Sequence, residues 1–440
     1  MRKIVIIGNG ISGVTCARHI RKLCNDHISI ISSETEHFYS RTALMYVYMG
    51  HMKFENIKPY ENFFWEKNKL NIIHDYVLNV NSADKTLFLK NGAPVTYDIL
   101  IIASGSSTSK FNWPGQDIKG VEGFYNFHDL QQIQLHTKII SDAVIVGGGL
   151  IGVELAEMLH SRKINVTMLV RDKSYWASVV PEQDAKLLGG HIERHGINIL
   201  YQTELKEIIA NKEGILTHII TTAGQVIKCS FVGIATGVKP NIHFLKESGI
   251  ETNKGILVNK YFETNVSGVY AIGDCAEFNE TIPGRKKIEQ IWYTGRMHGE
   301  TLAMTITGKK TAYKPGPFFN SAKFFDLEYQ TYGLVPSKSL EDHQLYTWQH
   351  PKLEKLLTFY FEKNTNIFKG INCYGTRLRH EVFDKWLYNN VTIDTVISNF
   401  KTAIFDKEFE KSYTSLLIND YNAFSGKNLR PVKQSFFSLK

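Results

Sequence analysis

The stretch KIVIIGNGISG, residues 3–13, decides the fold of this chain. An apolar strand pattern runs into three glycines at the spacing GxGxxG, and a helical pattern follows. Gly8 permits the tight turn, Gly10 lets the backbone approach a pyrophosphate, and Gly13 lets helix and strand pack closely. The stretch therefore predicts a unit that binds a dinucleotide.

The same pattern occurs a second time, in DAVIVGGGLIGVELAEML, with Gly147, Gly149 and Gly152 in the corresponding places. Each copy is followed by an apolar strand that ends in small residues, ILIIASGSS at 99–107 and FVGIATGVKPN at 231–241. Two nucleotide-binding units in one α/β chain are the simplest interpretation.

The two copies differ where their second strands end. The first has Glu34 there, about 20 residues after its glycines, where a carboxylate accepts hydrogen bonds from ribose hydroxyls. The second has Val170, followed by Arg171 and Asp172. A guanidinium clamps a ribose 2′-phosphate, with Lys173 as a further positive charge, so the sequence favours NADPH over NADH. The alternative is an ordinary exposed arginine at a strand end.

The composition is that of a globular protein of two or three domains, with 440 residues, 43% hydrophobic and 21% charged. The net charge of +8 is spread along the chain, which argues against nucleic acid and leaves room for acidic ligands. No window reaches the roughly 18 apolar residues of a membrane helix, so no transmembrane segment and a cytoplasmic location are expected.

The sequence predicts no metal site. The segment RHEVFDKW, with His380, Glu381 and Asp384, is interpreted as a solvated helix face. The cysteine spacings fit neither a metal cage nor a CxxC pair, which predicts reduced and mostly buried thiols. The five cysteines are Cys16, Cys24, Cys229, Cys275 and Cys373.

The order of motifs GNGISG, ASG, GGGLIGVELAE, ATGVKPN and YAIGDCAE resembles the FAD-dependent pyridine nucleotide–disulfide oxidoreductase superfamily, over residues 1–308. The resemblance implies FAD in the first unit and NAD(P)H in the second. Arg41 of FYSRTAL would lie beside the FAD phosphates, and Asp274 of GDCAE would bond the ribityl chain. The cofactor-binding residues implied are Gly8, Gly10, Ser12, Gly13, Glu34, Arg41, Val77, Ala103, Ser104, Gly105, Asp274, Trp292, Gly147, Gly149, Gly152, Arg171 and Gly237.

The resemblance also implies two catalytic positions, Glu154 and Tyr46. Glu154 would lie near the nicotinamide, and several relatives pair that glutamate with a lysine where this chain has Tyr46. Because of this departure, the sequence does not decide which charge lies beside flavin N5. Hydride transfer itself does not depend on that lysine, because it is the chemistry of the cofactor. Trp292 and Tyr293 would flank the flavin ring, or else belong to the core.

Members of this superfamily that use a redox-active thiol carry it near the first helix or shortly after the segment that here reads YSRTALMYV. No cysteine lies between Cys24 and Cys229, so the resemblance implies chemistry without such a thiol. The remaining resemblance is to ferredoxin and rubredoxin reductases, the flavoprotein part of nitrite reductases, and apoptosis-inducing factor. It implies a discontinuous FAD domain at 1–112 and 250–312, an NAD(P)H domain at 113–249, and an α+β interface domain with a helical extension at 313–440.

The interface domain would support a homodimer or a partner. Its strands are predicted at LYTWQ, LLTFYFE and IFKGINCYG, and helices from His380 to about Phe424. The tail GKNLRPVKQSFFSLK is interpreted as frayed and solvated, with a membrane surface as the alternative.

We therefore expect an FAD-dependent NAD(P)H oxidoreductase that takes hydride at flavin N5 and passes electrons to a small acidic redox protein. One alternative is a peripheral NAD(P)H:quinone reductase. The other is a nucleotide-sensing FAD protein, in which nucleotide binding changes shape or dimer state and turnover is incidental.

Overall fold

A computed structural model describes residues 1–405 and 412–432 of the chain. The chain forms two compact units. Unit 1 consists of Met1–Arg171 and Thr203–Pro315, and unit 2 of Asp172–Gln202 and Gly316–Lys440. The boundary between Pro315 and Gly316 falls inside the segment YKPGPFFN, which carries two prolines and a glycine.

Strands and helices occur in both units. The strands are β1 (Lys3–Ile7), β2 (His27–Ser32), β3 (Leu70–His74), β4 (Val77–Asn81), β5 (Thr86–Leu89), β6 (Val95–Thr96), β7 (Ile99–Ile102), β8 (Ser106–Thr108), β9 (Val121–Gly123), β10 (Asp142–Val146), β11 (Asn165–Val170), β12 (Asn198–Tyr201), β13 (Leu205–Ala210), β14 (Leu216–Thr221), β15 (Val226–Lys228), β16 (Phe231–Ile234), β17 (Val238–Pro240), β18 (Ile256–Val258), β19 (Val269–Ala271), β20 (Ala276–Phe278), β21 (Phe319–Phe324), β22 (Leu327–Gly333), β23 (His343–Gln349), β24 (Leu356–Glu362) and β25 (Phe368–Tyr374). The helices are α1 (Ile11–Leu23), α2 (Leu44–Tyr48), α3 (Phe63–Lys67), α4 (Phe127–His136), α5 (Leu150–Ser161), α6 (Glu182–Arg194), α7 (Trp292–Ile306), α8 (His380–Tyr388), α9 (Ile393–Ser398) and α10 (Thr414–Ser425).

The first sheet of unit 1 has five parallel strands in the order β19-β7-β1-β2-β3. Its central strand β1 is almost wholly buried, because helices cover the faces of a parallel sheet. Helices α1 and α7 pack closely where α7 has glycines. A Cβ at Gly299 would lie 2.6 Å from the carbonyl oxygen of Ser12. Small residues therefore set the distance between these two helices.

The second sheet repeats this design. Its strands in unit 1 run parallel in the order β11-β10-β16-β9, and α5 follows β10 as α1 follows β1. The short antiparallel pair β8-β17 joins the two halves of unit 1. The duplicated pattern therefore forms two parallel sheets within unit 1, as the glycine motifs predict.

Unit 2 contains an antiparallel sheet of five strands in the order β21-β22-β25-β24-β23. The predicted strands LYTWQ, LLTFYFE and IFKGINCYG lie in β23, β24 and β25. Helices α8, α9 and α10 pack against this sheet through an aromatic core. The predicted fold class, two Rossmann-like units and an α+β C-terminal part, is confirmed.

The two units divide the chain differently from the three predicted domains, since unit 1 contains most of both predicted nucleotide-binding domains. Residues 172–202, expected in the NAD(P)H domain, belong with the C-terminal sheet in unit 2. The physical reason is the buried carboxylate of Asp184 on α6. It accepts hydrogen bonds from the side chains of Thr358, Asn372 and Tyr374, at 2.6, 2.8 and 3.1 Å.

The beginning of the tail is bonded, in contrast to the frayed tail expected from the sequence. Lys427 Nζ lies 2.7 Å from a carboxylate oxygen of Asp394, and the Leu429 amide donates to Asn422 Oδ1 at 2.8 Å. The last eight residues, 433–440, lie outside the described residues. Within the described part of the chain, no helix has both the length and the apolar character needed to cross a membrane.

Candidate dinucleotide-binding sites

The first glycine turn has the geometry that its sequence predicts. Gly8 has a φ of +110°, and a Cβ there would lie 2.1 Å from the carbonyl oxygen of Ala103. A Cβ at Gly13 would lie 2.1 Å from the carbonyl oxygen of Gly8. Gly10, in contrast, precedes α1 with nothing within 4 Å of an added Cβ. Two glycines therefore allow close packing, and the third leaves open space at a helix N-terminus.

The second turn reproduces these three relationships. Gly147 has a φ of +120°, and its Cβ would lie 2.3 Å from the carbonyl oxygen of Ala235. A Cβ at Gly152 would lie 2.4 Å from the carbonyl oxygen of Gly147, while Gly149 has open space. Backbone N–H groups at the start of a helix attract phosphate, so each turn offers an anion site of the same construction.

The carboxylate of Glu34 is the centre of a polar cluster just beyond β2. Arg41 forms a two-point ion pair with it, Nη2 to Oε2 at 2.8 Å and Nη1 to Oε1 at 3.1 Å. Oε1 also accepts from the Phe127 amide at 2.7 Å and from the Tyr39 hydroxyl. Among the described residues, Oε2 accepts only the bond from Arg41, and its remaining lone pair leaves room for a ribose hydroxyl.

The cluster continues from Arg41 to Asp274 through Tyr125. Arg41 Nη1 donates to the Tyr125 carbonyl at 2.7 Å, and the Tyr125 hydroxyl donates to Asp274 Oδ2 at 2.9 Å. The same hydroxyl accepts from the Ser106 amide at 3.0 Å. The structure therefore joins three predicted cofactor residues into one connected network.

The charges in this network are set by burial and by each other. Burial alone would raise the pKa of Glu34, but the Arg41 guanidinium holds that pKa below its ordinary value. For Asp274 burial prevails and raises the pKa, although the Tyr125 hydroxyl opposes the shift. Glu34 is therefore the more firmly ionised of the two carboxylates.

Sequence reasoning alone misses Tyr39, Tyr125 and Phe127. Tyr39 lies inside FYSRTAL, so its proximity to Arg41 is a usable signal. Tyr125 and Phe127 lie in no motif, and only the folded chain brings them to Glu34. A further missed residue is His298 of α7, whose Nδ1 accepts from the Gly273 amide at 3.1 Å and holds the turn that carries Asp274.

The small-residue turn after β7 is bonded to the end of β17. Ser104 Oγ donates to the Asn241 carbonyl at 2.7 Å, and the Asn241 amide donates to the Gly105 carbonyl at 2.9 Å. Ala103 is the residue that Gly8 approaches, and Gly237 has a φ of +99° with open space around it. These predicted residues therefore line the connection between the two halves of unit 1.

The remaining FAD candidates differ in their surroundings. The Ser12 hydroxyl lies where Cβ atoms on Gly273 and Gly295 would meet it, so it packs between α1 and α7. Trp292 begins α7, and its buried Nε1–H has no hydrogen-bond partner among the described residues. Val77 is buried at the start of β4 in the core of unit 1. The unpartnered Nε1–H of Trp292 could donate a hydrogen bond to a polar group of a bound ligand at the start of α7.

The two predicted catalytic side chains lie on α2 and α5. The ring of Tyr46 stacks on His51 with centroids 6.1 Å apart. Burial raises the pKa of Glu154 to about 7, and the carboxylate of Glu157 adds to the shift. Within the described residues, Tyr46 and Glu154 do not hydrogen-bond to each other. A carboxyl poised near neutrality is typical of functional sites.

The end of β11 corresponds to the end of β2, where Glu34 lies, but it carries no carboxylate that could bind a ribose. Val170 is 3% exposed, and a Cβ on Gly148 would lie 3.0 Å from one of its methyl groups. Arg171 is exposed, and in the described parts of the chain its guanidinium has no ion-pair partner. The first exposed polar side chain after this strand is therefore that of Arg171, which is positively charged.

All five cysteines are free thiols, four of them buried and Cys24 partly exposed. On α8, His380 and Glu381 are exposed, and Arg379 pairs with Glu381 at 2.6 Å.

Comparison with known proteins gives a consistent assignment. The family described as pyridine nucleotide-disulphide oxidoreductase matches residues 2–299. A rubredoxin-NAD(+) reductase of Acinetobacter baylyi is 30% identical over 321 residues, 71% of this chain and 80% of that protein. The assimilatory nitrate reductase electron transfer subunit of Bacillus subtilis is 29% identical over 287 residues. That alignment covers 64% of this chain and only 37% of the relative's own length.

The solved structure of NADH:rubredoxin oxidoreductase from Clostridium acetobutylicum has a TM-score of 0.69 and 25% identity to this chain. It covers 95% of this chain and 99% of that one. The family assignment implies the use of FAD and a pyridine nucleotide, as the motifs predict. This chain belongs to the pyridine nucleotide-disulphide oxidoreductase family, a family of oxidoreductases.

Proposed function

We propose that this chain is an FAD-dependent oxidoreductase that takes hydride from NAD(P)H and passes electrons to a small redox protein. The observation that carries the proposal is the pair of equivalent glycine turns in unit 1. Each is crowded at two glycines and open at the middle one, Gly10 or Gly149. FAD, when bound, supplies the redox chemistry by accepting hydride and releasing electrons.

The residues around the first turn fit FAD. Gly10 and the start of α1 would receive the pyrophosphate, and the free lone pair on Glu34 Oε2 would accept a ribose hydroxyl. The orphaned Nε1–H of Trp292 would donate to a polar edge of the cofactor. Arg41 and Tyr125 would hold Glu34 and Asp274 in place through the network that joins them.

NADPH is the proposed hydride donor, in preference to NADH. The buried Val170 has no polar atom for a ribose hydroxyl, and the exposed Arg171 beside it is free to pair with a 2′-phosphate. Glu154 would lie near the nicotinamide, where its pKa of about 7 lets it carry or release a proton at neutral pH. Tyr46 would occupy the neighbouring position.

The electron acceptor is proposed to be a small acidic redox protein. Several relatives are named as rubredoxin reductases, and the net charge of +8 on this chain favours an acidic partner. Electrostatic attraction between this chain and an acidic partner predicts that their association rate falls steeply as ionic strength rises.

A homodimer and the three predicted domains also remain proposals.

Three measurements test the proposal. Cofactor released by heat should be FAD, and NADPH should reduce it rapidly in anaerobic stopped-flow experiments. Turnover should then be compared for acidic ferredoxin or rubredoxin and for a quinone in detergent, across a salt series. A colourless protein that ignores added FAD contradicts the proposal. Turnover no faster with either acceptor than with oxygen, together with a nucleotide-dependent dimer, would favour the sensing protein.

A further inference from the structure

A cluster of three metal-ligating side chains lies in unit 2, whereas both glycine turns belong to unit 1. His191 and His195 are one helical turn apart at the end of α6, and Asp326 lies in the two-residue turn between β21 and β22. We propose that these three residues bind a divalent transition-metal cation, with Zn²⁺ the expected occupant. The sequence alone predicts no metal site, so this inference departs from that expectation.

The three ligand atoms already converge. Nε2 of His191 lies 3.0 Å from Asp326 Oδ1, and Nε2 of His195 lies 3.1 Å from the same oxygen. All three atoms lie within 4.8 Å of one another. Ligands at about 2.0–2.1 Å from a tetrahedral zinc are separated by about 3.3 Å, so only a small adjustment is needed to admit the ion.

Hydrogen bonds fix the orientation of both imidazole rings. Nδ1 of His191 lies 3.0 Å from Glu354 Oε2, and Nδ1 of His195 lies 3.0 Å from the carbonyl oxygen of His191. Both partners are acceptors, so each Nδ1 carries a hydrogen, and in the neutral imidazoles each Nε2 keeps its lone pair. Histidine ligands of metals are held in this way, by a carboxylate or a carbonyl on the far nitrogen.

The buried nitrogen of His191 is the second, independent observation. Its side chain is 4% exposed, and among the described residues its Nε2 has no hydrogen-bond partner although Asp326 Oδ1 is 3.0 Å away. A buried lone pair that faces a carboxylate oxygen is unfavourable unless a proton or a metal cation lies between them. A metal ion satisfies both atoms at once.

The outer side of the cluster is open. The Asp326 side chain is 79% exposed, so an ion can enter and a water molecule can complete four-coordination. Phe325, which precedes Asp326 in the turn, stacks on the His195 ring with centroids 4.5 Å apart. This contact fixes the turn against α6. Two imidazoles and one carboxylate suit zinc-like cations better than Mg²⁺ or Ca²⁺, which prefer oxygen ligands.

Zinc titration of the full-length flavoprotein tests the site. The protein is stripped with a chelator, and Zn²⁺ is then added in competition with a chromophoric indicator. We expect one equivalent of Zn²⁺ per chain and a higher unfolding temperature with zinc than without. Mg²⁺ and Ca²⁺ should not compete. His195→Ala and Asp326→Asn alter side chains at the open side and should abolish both effects while circular dichroism stays unchanged.

Two further variants separate the site from nonspecific binding. Glu354→Gln removes the carboxylate behind His191 and should weaken zinc affinity by roughly 10- to 100-fold. The matched control is His343→Ala, a histidine of unit 2 whose Nδ1 lies 2.6 Å from Asp342, and it should bind zinc like the wild type. Substoichiometric binding, or equal affinity in Asp326→Asn and wild type, overturns the proposal. The cluster would then be two histidines that contact Asp326 without a metal.

Discussion

Arg41 and Glu34 face each other as a two-point ion pair, and the same guanidinium donates to the carbonyl oxygen of Tyr125. One side chain thus connects the loop after β2 to the segment that leads into α4. The carboxylate implied for the adenosine ribose is therefore held by a residue implied for the phosphates.

Replacing Arg41 should weaken FAD binding. In Arg41→Met, Glu34 loses both charge-assisted bonds and its pKa rises, because Arg41 opposes the effect of burial. We expect a loss of about 2–3 kcal/mol, or roughly 30- to 150-fold in Kd, measured by flavin fluorescence quenching with the apoprotein. Arg296→Met, which removes an exposed arginine paired with Glu300 on α7, is the control. Equal affinity in wild type and Arg41→Met would contradict the network.

The two open glycines offer a matched pair of variants. Gly10→Ala should fold normally and lose FAD affinity by at least tenfold, because a methyl group would occupy the space left for the pyrophosphate. Gly149→Ala should keep FAD and raise the KM for NAD(P)H instead. In contrast, Gly8→Ala should not fold, since its Cβ would meet a carbonyl oxygen at 2.1 Å. Retention of full FAD affinity in Gly10→Ala would show that the turn is structural only.

Arg171 should decide the choice of nicotinamide nucleotide. Wild type should be reduced more efficiently by NADPH than by NADH, and Arg171→Glu should reverse the order. The change removes a phosphate clamp and adds repulsion, at a cost of about 2–4 kcal/mol in discrimination. Stopped-flow flavin reduction by both nucleotides measures it. Lys163→Glu makes the same charge change before β11 and should have no effect. A tenfold preference of the wild type for NADH would refute the assignment.

Glu154 should make stability depend on pH in a defined window. Its folded pKa of about 7 lies above the ordinary value of 4.5, so its contribution is complete below about pH 4.5 and is lost as pH rises through 7. Glu154→Gln should therefore match wild type near pH 4.5 and be more stable at pH 8, by at most about 3 kcal/mol. Thermal unfolding of nucleotide-free protein across this range measures the difference. Glu251→Gln, at an exposed carboxylate, should show none.

Asp184 should be essential to the stability of unit 2. Burial raises its pKa to about 6, and the hydrogen bonds from Thr358, Asn372 and Tyr374 oppose that shift. Asp184→Ala leaves these buried donors without their acceptor and should cost about 3–5 kcal/mol in urea unfolding. Glu182→Ala, in the same turn of α6, removes an exposed pair with Lys186 and should leave the midpoint of urea unfolding almost unchanged.

The sequence predicts well whatever is specified locally. The strands β1, β10, β24 and β25 and the two glycine turns follow from residues that are neighbours in the chain. The roles of Gly8 and Gly147 are specified by backbone conformation, and their positive φ angles agree with the motif. The carboxylate of Glu34 is also predictable, because its distance from the glycines is fixed by one strand and one helix.

Long-range contacts cannot be predicted in this way. Tyr125 reaches Asp274 across 149 positions, and no period or motif relates the two residues. The apolar face of α6 indicates a buried helix, but not which sheet covers it. His191 and His195 alone do not specify a metal site in the sequence, because Asp326, the third member of their cluster, comes from a distant hairpin turn.

Residues 172–202 lie between the two segments of unit 1 in the sequence but belong to unit 2. This arrangement has a consequence for the synthesis of the chain. Tyr374, which bonds to Asp184, lies 190 positions later, so α6 is synthesised long before the sheet that buries its carboxylate exists. Proteins emerge from the ribosome N-terminal end first, and domains fold as units. All residues of unit 1 have been synthesised once Pro315 has emerged. Residues 172–202, in contrast, can form their contacts with the C-terminal sheet only after β25 has emerged. A nascent chain therefore carries α6 without the sheet that buries its carboxylate until Tyr374 has been synthesised.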